Sequence, residues 1–514
     1  MRIFKLSVFV MLLALVSSCN NANKEMMKMI PKDATVVMNV KTASVMEHTG
    51  IKVEDNKIVL PEALTKKIDA EQKKNVDEVL NKLGEASIDP TADIFMFGTA
   101  EENNQTFAAY IPIKSAEDAK KALETIPNGE IKFKNADGMD YFYQSGILVT
   151  IKDNVLAFFT SSKDENAALS EAKKLYSKEG FDNLNDNEYA GNCLSSSDDV
   201  NIYVNYKSFT NAAAQSPMGG AQAAMMMQMM ADVDGVGLNI NLANDEVNFK
   251  SEVYAKDDSD YMKLMKDITG EPSADILNYL PENSVLLGGY AINGEKIASF
   301  EAVKNVLNMA KSSSPMLANI DLVGLVGSIK QIGLGITADL GNKVFGGSLA
   351  IMSSKAKDLL NLIVTFMAAS GNTPNQVGEE YAINFNGLTI LAGADANAVY
   401  FKLTSDPAGA VKLNASGNAK AKELLEKYTS AFWLNLPVDG MSMYSDAKSI
   451  DATHGEGVFY ILNKDQKHFP FVEYDTFFNA IQSKFPQPSV DNIDYGSDFP
   501  LEDEEADVEA ATVD

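Results

Sequence analysis

The chain has 514 residues, 46% of them hydrophobic and 22% charged, a globular composition that excludes a fibrous or disordered protein. Its 71 acids against 44 bases give a net charge of −27, which repels nucleic-acid phosphates and argues against a nucleic-acid partner. At roughly 100–200 residues per domain, the length predicts about two to four domains.

Residues 1–18 read as a signal peptide. Arg2 and Lys5 form a short basic region, and 6–16 is an apolar run too short to cross a bilayer, which takes about 20 residues. Val16-Ser17-Ser18-Cys19 then resembles the bacterial lipobox, whose cysteine is diacylated and becomes the new N-terminus. This assigns Cys19 as a lipidation site and makes the membrane a partner through acyl chains. Residues 19–27 read as a polar tether. No Asp follows Cys19, and Glu25 is the only acid before residue 28, so the expected location is the outer membrane, facing the periplasm, with surface exposure left open.

Past the tether, Ile30-Pro31-Lys32-Asp33-Ala34-Thr35-Val36-Val37 reads as a turn into a buried strand. Residues 42–48 suggest a short helix. Residues 61–83 suggest a charged amphipathic helix with Leu64, Ile68, Val76, Val79 and Leu80 as its apolar positions. A hairpin of 94–97 with 107–113 follows, and then a helix capped by Ser115 with Ala116, Ala119, Leu123 and Ile126 on one face. This hairpin–helix unit recurs at 238–242 with 247–253, at 332–336 with 344–351, and at 458–462 with 469–472.

Other stretches also come back in order. Leu280-Pro281-Glu282-Asn283-Ser284-Val285-Leu286-Leu287 repeats the character of the opening turn and strand. Residues 141–147 are echoed by 381–388, and 155–160 by 399–404. Each pair is followed by a helix (165–176; 419–428) and then a strand. In the first of these strands Val200, Ile202, Val204 and Tyr206 share a face; 432–436 takes the same place. The fold expected is therefore α+β, in two similar halves from internal duplication. Each half is a mainly antiparallel sheet covered by helices on one side. Residues 28–270 form the first module and 271–490 the second, with a groove between them. The acid-rich residues 491–514 read as a disordered tail.

Chemistry is sparse. The histidines are His48, His454 and His468, with no helical zinc spacing. Cys193 is the one cysteine left after Cys19 and reads as a small core residue, as does Trp433 for the core. Asp232-Val233-Asp234-Gly235 lacks the remaining acids of a calcium loop and reads as a turn. No nucleophile elbow, phosphate loop or dinucleotide fingerprint is present. No catalytic, cofactor or metal residues are assigned, and no cofactor is expected. The unusual stretch is 211–230, with Met225, Met226, Met227, Met229 and Met230. It fits a mobile packing segment, an adaptable partner-binding surface, or a thioether site for Cu(I).

The lipobox, the polar stretch after it, and Ile30, Pro31, Lys32, Asp33, Ala34, Thr35, Val37 and Val40 together resemble a Bacteroidetes family of uncharacterised lipoproteins, the domain of unknown function 4836. The resemblance implies a cell-envelope location and brings no catalytic residues with it. The function expected is a non-enzymatic binding or scaffolding lipoprotein, with an envelope protein as a further partner. An envelope hydrolase using carboxylates and a structural subunit of an envelope complex are the alternatives.

Overall fold

The computed structural model describes residues 20–484, apart from 55–56, 62–86, 90–91, 102–103, 126–130, 161–163, 179–180, 210–229, 341–343, 370–373, 386–387 and 405–410. Cys19, the helix expected at 61–83, Met225, Met226, Met227, Met229 and the acidic tail lie outside the described residues.

The first half contains strands β1 (Val36–Val40), β2 (Lys52–Glu54), β3 (Lys57–Val59), β4 (Ile94–Glu101), β5 (Asn104–Pro112), β6 (Lys134–Ala136), β7 (Met139–Gln144), β8 (Ile147–Lys152), β9 (Val155–Thr160), β10 (Val200–Asn205), β11 (Val233–Asn241) and β12 (Val247–Ala255). Its helices are α1 (Asn20–Met27), α2 (Thr42–Thr49), α3 (Ala116–Glu124), α4 (Glu165–Ser177), α5 (Glu188–Leu194) and α6 (Asp260–Ile268). The second half contains β13 (Leu286–Ala291), β14 (Ile329–Asp339), β15 (Val344–Ser353), β16 (Asn375–Val377), β17 (Glu380–Phe385), β18 (Leu388–Ala394), β19 (Ala398–Thr404), β20 (Ser430–Val438), β21 (Met441–Ser449), β22 (His454–Asn463) and β23 (Gln466–His468). Its helices are α7 (Gly294–Ser299), α8 (Glu301–Ser313), α9 (Leu322–Gly327), α10 (Ala356–Ala369), α11 (Ala419–Lys427) and α12 (Pro470–Lys484).

Among the described residues, all strands but β2 and β3 join one sheet of 21, and every pairing in it is antiparallel. From one edge the order is β6-β7-β8-β9-β5-β4-β1-β10-β11-β12. From the other edge it is β16-β17-β18-β19-β15-β14-β13-β20-β21-β22. The two runs meet where β12 pairs with β22, Val247 opposite Phe459 and Glu252 opposite His454. The halves are therefore joined edge to edge, and the groove expected between them is replaced by a continuous hydrogen-bonded seam. Both outer strands, β6 and β16, are three residues long, which limits the unpaired edge they offer.

The two turn motifs make matching backbone bonds. Lys32 N donates to Asp182 O (2.9 Å) and Glu282 N to Lys412 O (2.9 Å). Leu184 N donates to Ile30 O (2.9 Å) and Asn414 N to Leu280 O (2.8 Å). Thr35 N and Val285 N donate to Gly98 O and Ile336 O (both 2.8 Å), on β4 and β14.

Helices cover both faces of the sheet, not one as expected. Val37, Phe95, Phe97 and Tyr203 pack with Ala172 of α4 and Ala190 of α5. Val40, Ile94 and Ile111, on the opposite face, pack with Val45 of α2 and Leu123 of α3. The cause is visible in β1, Val-Val-Met-Asn-Val, where apolar residues run consecutively and bury both sides. The β10 face also differs from expectation. Asn201 and Tyr203 are the buried pair, while Val200, Ile202 and Val204 are half-buried, because α5 sits over the odd-numbered side.

Two further corrections concern local structure. Residues 20–27, read as a tether, are helix α1, docked through buried Met26 and through Asn185 Nδ2 donating to Lys24 O (3.1 Å). Residues 469–472, read as a strand, lead into α12: Pro470 is its first residue, where the missing N–H costs nothing. The hairpin in the position of β11–β12 is instead β21–β22.

Candidate functional site

A cleft of about 620 Å³ opens in the first half, within the size range of small-ligand sites. Four pieces of chain build it. The turn before β1 supplies Lys32 and Asp33. The 3-10 turn Leu184–Asp186 and its approach supply Phe181, Asp182 and Asp186. The start of α5 supplies Asn187, Glu188 and Tyr189. The ends of β10 and β11 supply Tyr203, Asn205, Lys207 and Asp234.

Local chemistry fixes this frame. Asn183 and Asp186 form a reciprocal capping box around the 3-10 turn. Asn187 caps α5, its Oδ1 accepting from Ala190 N (3.0 Å), while its Nδ2 donates to the Tyr203 hydroxyl (3.3 Å). Asn205 Nδ2 donates to Lys32 O (3.5 Å), and its Oδ1 accepts from Ser208 N (3.1 Å). Lys207 pairs with Asp234. A β-carbon at position 235 would stand 2.4 Å from the Tyr203 hydroxyl, so Gly235 is what lets that ring lie across β11. Tyr189 stacks on Tyr254 with ring centroids 5.4 Å apart. Burial pushes the phenols of Tyr189 and Tyr203 above their usual range, which keeps both neutral and able to hydrogen-bond. The cleft thus offers aromatic walls, neutral hydroxyls and a rim rich in carboxylates.

Lys32 and Asp33 belong to the turn expected ahead of the first strand, and Asp232-Val233-Asp234-Gly235 reads from the sequence as a turn. Asp232 does lie in a turn, its carboxylate accepting from Asp260 N (2.9 Å) at the start of α6, but Asp234 and Gly235 belong to β11. The stretch Asp182-Asn183-Leu184-Asn185-Asp186-Asn187-Glu188 carries no motif that marks it as a site. Its density of capping residues was the available signal. Met230 is half-buried in a turn, its carbonyl accepting from Val233 N (2.9 Å).

The remaining candidates resolve as follows. Cys193 is 1% exposed on the inner face of α5, and burial raises its thiol to about 11. Trp433 is buried in the second-half core beside Leu424 and Leu425. His48 Nδ1 contacts fully buried Asp199 at 2.9 Å. His454 lies on the seam between Asp451 (2.9 Å) and Glu252 (3.4 Å). Among the described residues, no group of three or more His, Cys, Asp or Glu is placed to hold a metal ion, and no helix is long and apolar enough to cross a membrane.

These features define an α+β protein on one long antiparallel sheet, with a polar and aromatic cleft in its first half. The chain belongs to the family described as Domain of unknown function (DUF4836), whose model matches residues 26–428. It is similar in part to solved structures of TP0453. Crystal form I is 11% identical with a TM-score of 0.27, covering 45% of this chain and 79% of that one. Crystal form IV is 9% identical with a TM-score of 0.28, covering 44% and 79%. No curated protein matches the chain.

Proposed function

We propose that this is a lipid-anchored cell-envelope protein, held in the outer membrane through Cys19 and facing the periplasm, whose role is binding rather than catalysis. The observation that carries the binding role is the cleft, built from stretches far apart in the sequence and bordered by the capped 3-10 turn and the capped start of α5. Its place relative to the anchor supports the same reading. Helix α1 begins one residue after Cys19 and docks on the 3-10 turn that lines the cleft. An acylated Cys19 would hold the cleft beside the membrane surface.

We also infer that residues 28–270 and 271–490 descend from one duplicated module. The two strand orders, the paired turn-motif hydrogen bonds, and the matching placement of Pro31 and Pro281 support this. In that picture the seam is a like-with-like pairing of edge strands, and the cleft is a specialisation of the first copy.

Two measurements test the proposal. Cys19→Ser should abolish incorporation of labelled fatty acid and release the protein from the membrane fraction; a variant that stays membrane-bound contradicts the anchor. For binding, small-molecule fractions of envelope extract are added to the purified protein and thermal unfolding is followed. At least one fraction should raise the midpoint of the wild type and leave Tyr189→Ala unmoved. If no fraction shifts the wild type, the binding role fails.

A further inference from the structure

We propose that the cleft takes its ligand through an organic ammonium group, a reading that rests on the cleft being the binding site. The lining holds five carboxylates, Asp33, Asp182, Asp186, Glu188 and Asp234, against two ammonium groups, Lys32 and Lys207. Lys207 is already engaged by Asp234. Asp33, Asp182 and Glu188 are exposed and form no ion pair with a described residue. The cavity therefore concentrates negative potential over a partly apolar floor, and low-dielectric walls focus that field.

The aromatic lining suits the same chemistry. The Tyr189 ring stacks on Tyr254 and borders the cavity, and Phe181 forms another part of the wall. Aromatic faces attract ammonium groups and give anionic or neutral polar groups no such gain. A phosphate or carboxylate ligand would meet a lining with five carboxylates against two ammonium groups, a net negative field that argues against an anion.

Two sources could deliver the ammonium group: a free amine in the periplasm, or an ethanolamine lipid headgroup beside the anchor. The test uses the full mature chain carrying Cys19→Ser, with spermidine, maltose and inorganic phosphate as soluble probes in calorimetry. A flotation arm compares vesicles of phosphatidylethanolamine with phosphatidylglycerol against vesicles of phosphatidylglycerol alone. Spermidine should bind, and the double variant Asp182→Asn/Glu188→Gln should bind it about tenfold more weakly, as expected for two partly exposed charges. Both residues are exposed, so the fold survives the change. Flotation that requires phosphatidylethanolamine and is lost in the same variant also supports the proposal and assigns the lipid source. Maltose or phosphate binding with equal strength in the double variant overturns the ammonium preference and leaves the cleft as a site. If neither spermidine nor ethanolamine vesicles bind, the ammonium proposal is wrong, whatever the extract fractions show.

Discussion

Asn239 donates its side-chain amide to Oδ1 of Asn201 at 2.7 Å, directly across the β10–β11 pairing. The row continues: Asn201 Nδ2 donates to Asn39 Oδ1 (3.4 Å), and Asn39 Nδ2 to Asp93 (3.3 Å). Asn39 and Asn201 are fully buried and Asp93 nearly so. Such a row is stable only while each amide keeps its partners, because an orphaned buried group costs its full desolvation. In the strands of matching order in the second half, Gly289 and Ala431 stand opposite each other instead, and Leu425 crowds Gly289. The β1–β10–β11 rows thus carry bonded amides, whereas the β13–β20 pair is packed by a leucine.

Asn201→Ala should therefore destabilise the protein by about 1–3 kcal/mol, since Asn39 Oδ1 and the carbonyl of Asp198 both lose a donor. Urea unfolding measures it. A loss below about 0.5 kcal/mol, the usual size of a surface substitution, would show that the row is not a stabilising network.

The seam should respond to pH through His454. Its pKa lies above 6.5, chiefly through the hydrogen bond with Asp451, with Glu252 of β12 adding attraction. The raised value belongs to the folded state. The stabilisation is therefore complete below about pH 6.5 and is lost as pH rises through the higher folded pKa. His454 is half-exposed and screened, so the effect stays under about 1 kcal/mol. Thermal midpoints between pH 6 and 8.5 should fall more for the wild type than for His454→Gln. Parallel curves would rule out a contribution from this histidine.

Cys193 should be chemically silent in the folded protein. The thiol is buried against the carbonyl of Ile202 (3.2 Å), and burial holds it near 11, so little thiolate forms at neutral pH. In the Cys19→Ser background, Ellman's reagent at pH 8 should find no reactive thiol until denaturant is added. Rapid labelling of the native chain would mean that α5 opens away from β11.

Periodicity and turn chemistry made the α+β class and most element positions legible. The Ser115 cap is present as expected, with Asp118 N donating to Ser115 Oγ. The repeated Ile-Pro and Leu-Pro turns lie in matching surroundings because proline and a β-favouring run constrain the backbone locally. What escaped the sequence is set by long-range pairing. Consecutive apolar residues in β1 do not say how many helices will cover it, and the apolar residues at 469–472 imitate a strand until Pro470 is taken as a helix start. The cleft escaped because its pieces are about 200 residues apart, from Lys32 to Asp234, and each piece alone reads as a polar turn.

The seam gives the sharpest test of how the halves are held. Gly457 of β22 stands between Phe249 of β12 and Ala447 of β21. A β-carbon there would come within 2.1 Å of the Phe249 ring and 2.8 Å of the Asp446 carbonyl oxygen. An aromatic ring cannot shorten, and the carbonyl belongs to the neighbouring strand, so the strain must be taken by the β12–β22 pairing. Gly457→Ala should cost about 1–3 kcal/mol, the usual penalty for overpacking. The loss should be local: amides of residues 247–252 should exchange with solvent faster, while those of β4 and β5, on the far side of the first half, should be unchanged. Gly191→Ala is the control, because that helical glycine has open space around its missing β-carbon, and the substitution should be neutral or mildly stabilising. If both variants behave alike, or if exchange rises uniformly across the sheet, the seam is not where the halves are locked together. A faster β12 alone would mark it as the hinge line between two separately folded modules.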